Sequence, residues 1–356
     1  MPNLRHHPVS RLPALALAVG LIAAACGGEG DPAPLSTNSS RPAAALVDEG
    51  LVQLEAGALD EALATFDATI AALGDSEESL VPARALVGRG QALALMDRED
   101  EAAASFEAAL AEIGLATDPA GGALAVDTVG HRLRLTGDAG EWIVGYKGYR
   151  DVLDHFEGID HPDVIASNMR LLDEYALSLE TIARYEEALV VYESIDERYG
   201  ELTDPQVQLP LAVTFARTAA NLRVLERDEE ALFFFQRAIE VADGTSDDDL
   251  ALLGSETWLE MAQLLTVLGA RVEALEAFDS QFDRYGDRPE IAHRQLVLRG
   301  MLQSGLLLQD LGRVEEARAA FEEILRQVEV PSSDATLAAL AGVAEHQLVS
   351  CVVSLC

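Results

Sequence analysis

The feature that most constrains this chain is an internal repeat. A small residue recurs at Ala62, Ala102, Ala188, Ala231, Ala274 and Ala317, with Trp142 in a weaker seventh copy, so that successive copies are 40 to 46 residues apart. Four residues after each stands an aromatic ring: Phe66, Phe106, Tyr146, Tyr192, Phe235, Phe278 and Phe321. Twelve residues before stands Gly50, Gly90, Gly130, Ala176, Ala219, Ala262 or Gly305, and sixteen before a larger apolar residue: Leu46, Leu86, Val126, Leu172, Phe215, Trp258 or Met301. Nine before is leucine in every copy except the first, which has Gln53. A period of this length predicts stacked supersecondary units, each unable to bury its own apolar face.

The offsets have a mechanical meaning. Apolar, small and leucine positions spaced four and three apart share one face of a helix. The small residue leaves room for the ring of a second helix, and that helix carries its own small residue four places before the ring. Between the two helices, Gly57, Gly137, Gly269 and Gly312 are expected to adopt a backbone conformation that costs other residues strain. Acidic residues such as Glu186, Glu187, Glu315 and Glu316 fall in the first turn of the second helix, where they suit its dipole. Each unit is therefore expected to be a helix hairpin, and scarce β-branched and aromatic residues make the whole all-α.

This pattern resembles the tetratricopeptide repeat family over residues 43–330. The resemblance implies a right-handed α-solenoid of about seven hairpins, with residues 331–356 supplying a capping helix. The repeats exceed the typical 34 residues of that family, and the surplus is expected between hairpins, at 74–82, 114–122, 157–168, 200–211, 243–254 and 285–291. The third hairpin is expected to be the weakest, because Trp142 replaces a small residue and Gly140, Gly145 and Gly148 lower helix propensity.

Ahead of the repeats the character changes. Arg5, His6, His7 and Arg11 precede an apolar run from Leu12 to Ala25, which is too short to span a bilayer and reads as a signal peptide over residues 1–25. Its end, Ile22-Ala23-Ala24-Ala25-Cys26-Gly27, resembles a bacterial lipobox, with Ala23 where that motif usually has leucine. The resemblance implies lipidation at Cys26, with acyl chains as the membrane anchor. Residues 26–42, rich in Gly, Pro and Ser, are expected to be a flexible tether. The implied location is the cell envelope, at the outer membrane facing the periplasm or the cell surface in a source with two membranes.

Charge narrows the partners. With 25 basic and 61 acidic residues the formal net charge is −36, and Lys147 is the only lysine, so nucleic acid is not an expected partner. Such an acidic surface favours basic or neutral partners. The three cysteines, Cys26, Cys351 and Cys356, provide no disulfide framework. No signature of a hydrolase, phosphate loop or metalloprotease occurs. The acidic loop around His155 and His161 lacks metal-ligand spacing, and residues 243–249 lack the register of a calcium loop. No catalytic residue, cofactor, metal or small-molecule substrate is expected.

The resemblance further implies that positions 18, 15, 11 and 8 before the small residue of each second helix line a concave groove that binds a protein or peptide. The candidates there are Arg170, Asp173, Glu180, Arg223, Glu256, Gln263, Arg299 and Gln309, with the arginines expected to meet a ligand's carboxylates. The expected function is a membrane-anchored interaction scaffold. An accessory of outer-membrane or pilus assembly, a cytoplasmic regulator and an enzyme-associated subunit are the alternatives.

Overall fold

A computed structural model describes residues 42–73, 80–114, 118–328 and 333–354. Cys26, the signal peptide and nearly all of the tether lie outside these residues, as does Cys356. Among the described residues there are sixteen helices and no strand. In order these are α1 (Ala43–Glu55), α2 (Leu59–Ala72), α3 (Val81–Leu95), α4 (Glu99–Ile113), α5 (Pro119–Arg134), α6 (Ala139–Gly148), α7 (Arg150–Glu157), α8 (Pro162–Thr181), α9 (Tyr185–Tyr199), α10 (Pro205–Val224), α11 (Asp228–Ala242), α12 (Asp248–Val267), α13 (Arg271–Tyr285), α14 (Ile291–Asp310), α15 (Val314–Gln327) and α16 (Ala335–Ser354). The chain divides at Glu112–Ile113 into two compact units.

In the first unit, Phe66 of α2 lies between α1 and α3. A methyl group built on Gly50 or Gly88 would come within 2.6 or 2.4 Å of the ring, so the two glycines make the space it fills. Gly90 does the same for Phe106 of α4, at 2.5 Å. Val47, Ala62, Phe66 and Ala85 form the core of the first hairpins, each fully buried.

In the second unit, α8 to α16 alternate first and second helices of successive hairpins. Each first helix packs on its own second helix and on the next first helix, as in the pairs α8·α10, α10·α12, α12·α14 and α14·α16. Tyr192, Phe235, Phe278 and Phe321 are buried at the aromatic position, and Gly305 accommodates Phe321 as Gly50 does Phe66.

Three details differ from expectation. Between the third and sixth hairpins more than half of the surplus is helix rather than loop: α8, α10 and α12 have 20 residues each, and 158–161, 200–204 and 243–247 remain as connections. The cause is local. Asp118, Asp204 and Asp247 accept from the backbone N–H of Gly121, Gln206 and Leu250, and proline follows at the first helical position in α5, α8 and α10. Such caps start a helix where they stand. Secondly, Gly57, Gly269 and Gly312 take φ of +75°, +80° and +73°, but Gly137 does not; Asp97, Ala183 and Glu226 take that conformation in the second, fourth and fifth hairpins. Thirdly, the second helix of the third hairpin breaks at Tyr149 into α6 and α7, which makes sixteen helices where fifteen are expected.

An aromatic cluster lies beside the broken helix. Trp142, replacing the small residue, stacks on Tyr146 and Tyr175 with ring centroids 5.8 and 6.2 Å away, and Tyr146 and Tyr175 lie 4.3 Å apart. This aromatic stack occupies the room that elsewhere lets two helices approach. Gly130 accordingly faces Leu171 and Arg134 rather than a ring.

Candidate protein-binding groove

In the second unit the first helices α5, α8, α10, α12 and α14 present equivalent positions side by side. Many of the polar side chains there bind each other. Arg170 pairs with Asp127 of the preceding repeat at 3.2 Å and donates to Ser167 Oγ. Arg134 reaches forward to Glu174 at 2.8 Å, and Arg223 reaches Glu260 at 3.0 Å. Gln309 donates to Ser350 of α16 at 3.3 Å.

Between the fourth and fifth hairpins the pairing goes inward. Asp173 Oδ1 lies 2.9 Å from Arg217 Nε, close enough for an ion pair but without the alignment of a hydrogen bond. Glu180 accepts from Tyr192 Oη at 2.7 Å and from Asn221 Nδ2. Burial pushes the Asp173 carboxyl up to about 6, against the pull of Arg217, with Glu180 and Glu174 adding to the rise. Burial also lifts the Tyr192 hydroxyl well above its ordinary value, aided by Asp173 and Glu180. Asp173 and Glu180 are thus tied into the joint between repeats.

The character changes at α12 and α14, which present the same four positions one repeat apart: Glu256, Glu260, Gln263 and Val267 on one, Arg299, Gln303, Leu306 and Asp310 on the other. Spacings of four, three and four keep each set on one helix face. Between them opens a cleft of about 400 Å³ lined by Gln263, Thr266, Val267, Phe278, Gln303, Leu306, Leu307 and Asp310. Val267 is 79% exposed and Leu306 36% exposed. At the position of Val267 on the preceding first helix, Val224 is 49% exposed. Gln263, Gln303, Arg299 and Asp310 have no side-chain hydrogen bond or ion pair among the described residues. Glu256 and Glu260 are both pushed up by burial, Glu256 further by Glu260, while Arg299 draws Glu256 down.

Of the eight candidate groove residues, Glu256, Gln263 and Arg299 therefore belong to this open region. Arg170, Asp173, Glu180, Arg223 and Gln309 are engaged within the chain. Val267, Gln303, Leu306 and Asp310 escape a reading confined to polar side chains at four repeat positions, although Leu306 stands at one of those positions. Exposed apolar residues at a repeating interval were the available signal.

The two acidic loops serve as helix starts. His161 Nδ1 accepts from the backbone N–H of Asp163 at 3.4 Å, and Asp247 caps α12. Among the described residues no group of three or more His, Cys, Asp or Glu is placed to hold a metal ion, and no helix is long and apolar enough to cross a membrane.

A family model described as tetratricopeptide repeat matches residues 298–327, which cover most of α14 and all of α15. No curated protein matches the chain. Among solved structures, it is similar to a chain of the APC/C hetero-tetramer Cut9–Hcn1, with 13% identity and a TM-score of 0.41 over 72% of this chain and 42% of that one. It is also similar to the apo quorum sensor NprR from B. thuringiensis, with 14% identity and a TM-score of 0.45 over 87% and 86% of the two chains. A third is a tetratricopeptide repeat protein from Parabacteroides merdae, with 13% identity and a TM-score of 0.38 over 85% and 98%. The chain thus spans less than half the length of the first of these.

Proposed function

We propose that this protein is a non-catalytic interaction scaffold that binds a segment of another protein across the first helices of its repeats, with the α12–α14 cleft as the centre of the site. The cleft carries this reading. Evolved cores leave few adjoining apolar side chains uncovered, and uncovered ones mark contact surfaces. Here Val267 and Leu306 stand exposed beside Gln263, Gln303 and Asp310, whose side chains make no hydrogen bond or ion pair among the described residues. The repeat architecture supplies a rigid frame that presents such positions at regular intervals.

On this reading the site is held at a membrane of the cell envelope by acyl chains on Cys26, with residues 26–42 as the tether. The support is the sequence of the N-terminal segment, in which an apolar run ends at Ala24-Ala25-Cys26. Two or more acyl chains anchor stably where one does not.

A photo-crosslinking amino acid placed at Leu306, in the native cell, tests the binding face. Crosslinks to a discrete protein from position 306, and none from Val190 on the outer side of α9, are the expected result. Crosslinks from position 190 alone would move the binding surface to the second helices.

A further inference from the structure

The partner's chemistry can be taken further, resting on the reading above that the α12–α14 cleft is the binding centre. Val224, Val267 and Asp310 occupy one position of three successive first helices, α10, α12 and α14. The first two are exposed and apolar, and the third is an exposed carboxylate with no partner among the described residues. Of the basic side chains near this strip, Arg227 and Arg313 are paired with Glu230 and Glu316, and Arg271 is exposed at the start of α13, four residues after Val267. Arg223 is held by Glu260 at 3.0 Å. Arg299 lies 11 residues before Asp310, about 16 Å along the helix, and faces Glu256.

We infer that the ligand is an extended segment carrying two apolar side chains and, at one end of that set, a basic one, spaced three residues apart. The spacing comes from geometry. Directly packed helices stand about 8 to 10 Å apart, and α10·α12 and α12·α14 are directly packed. A polyproline-type extended chain advances about 3.1 Å per residue and returns a side chain to the same face every third residue, a step of about 9 Å. One such segment meets Val224, Val267 and Asp310 in register. The middle of the three side chains enters the cleft against Phe278, Leu306 and Leu307, and the carboxamides of Gln263 and Gln303 are free to bond the segment's backbone. The charge agrees: a chain of net charge −36 attracts a basic segment and repels an acidic one.

The test is selection of randomised 12-residue peptides on the full chain in detergent, followed by titration of synthetic peptides. Expected is enrichment of apolar-x-x-apolar-x-x-Arg or -Lys, or of the same pattern reversed. Replacing that basic residue by Glu should weaken binding about tenfold or more, and so should Asp310→Arg in the protein. Asp310 is exposed, so this variant keeps the fold, checked by circular dichroism. Enrichment of acidic peptides, or binding unchanged by Asp310→Arg, would overturn the basic-segment inference and leave groove binding standing. Failure to enrich any peptide, alongside crosslinks from position 190 alone, would remove both.

Discussion

At the scale of single residues, the consequential group is the Asp173 carboxyl. It is almost wholly enclosed, and the groups facing it are Arg217 from α10, Tyr192 from α9 and its own neighbours Glu174 and Glu180 on α8. Its folded value of about 6 lies above the ordinary 3.8. The folded state therefore binds the proton more tightly than the unfolded state, so the stability this group contributes is present at low pH and lost as pH rises through about 6. Of the order of 1 to 1.5 kcal/mol should disappear between pH 5 and pH 7.5. Urea unfolding at the two pH values, with and without Asp173→Asn, checks this: the variant should lack that increment. An equal pH response in both proteins would count against the assignment. Ala183 and Glu226 bear a different cost, since a residue with a Cβ pays about 1 to 2 kcal/mol at positive φ. Ala183→Gly should raise stability by about 1 kcal/mol, measured by the same unfolding curves, because glycine takes this conformation freely.

At the scale of helices, close approach is bought with glycine. Gly88→Ala would improve helix propensity by about 1 kcal/mol, yet the methyl would stand 2.4 Å from the Phe66 ring. Overpacking of this kind costs about 1 to 3 kcal/mol, so a net loss in thermal stability is expected. The third hairpin should exchange amide hydrogens fastest within the second unit, since α6 has 10 residues and α7 has 8, against 15 for α9, α11 and α13. Uniform protection across these hairpins would contradict it. The helices were legible in the sequence because Ala231, Phe235 and Leu222 report burial through spacing alone. The lengths of the first helices were legible too, in Asp204-Pro205 and His161-Pro162, had the caps been weighed beside the repeat. The break at Tyr149 was legible only as weakness, in Trp142 and in Gly145 and Gly148, and not in its position. The site was half legible: Arg170 and Arg223 look free until Asp127 and Glu260 are seen to meet them.

At the scale of the whole molecule, the proposed lipid anchor at Cys26 carries its own prediction. Cys26→Ala should shift the protein from the detergent-soluble membrane fraction to the aqueous one, or leave it at precursor length. A variant of mature length that stays with the membrane would exclude lipid anchoring at this cysteine. Within the second unit, the ion pairs that join one hairpin to the next are of several kinds, one of which recurs: Arg134–Glu174 and Arg223–Glu260 link the same two repeat positions. Arg170 reaches back to Asp127, Arg217 back to Asp173, and Arg223 forward to Glu260. The apolar spacing is common to all hairpins, but these contacts are not. Exchanging the fifth hairpin with the sixth would strand Asp173 without its guanidinium, and a buried carboxylate left alone is costly. The hairpins are therefore alike in shape but not freely interchangeable: the fourth and fifth meet through a buried pair that the sixth, with Glu260 in the place of Arg217, would not supply, so the order of the exposed positions there is inherited with the fold.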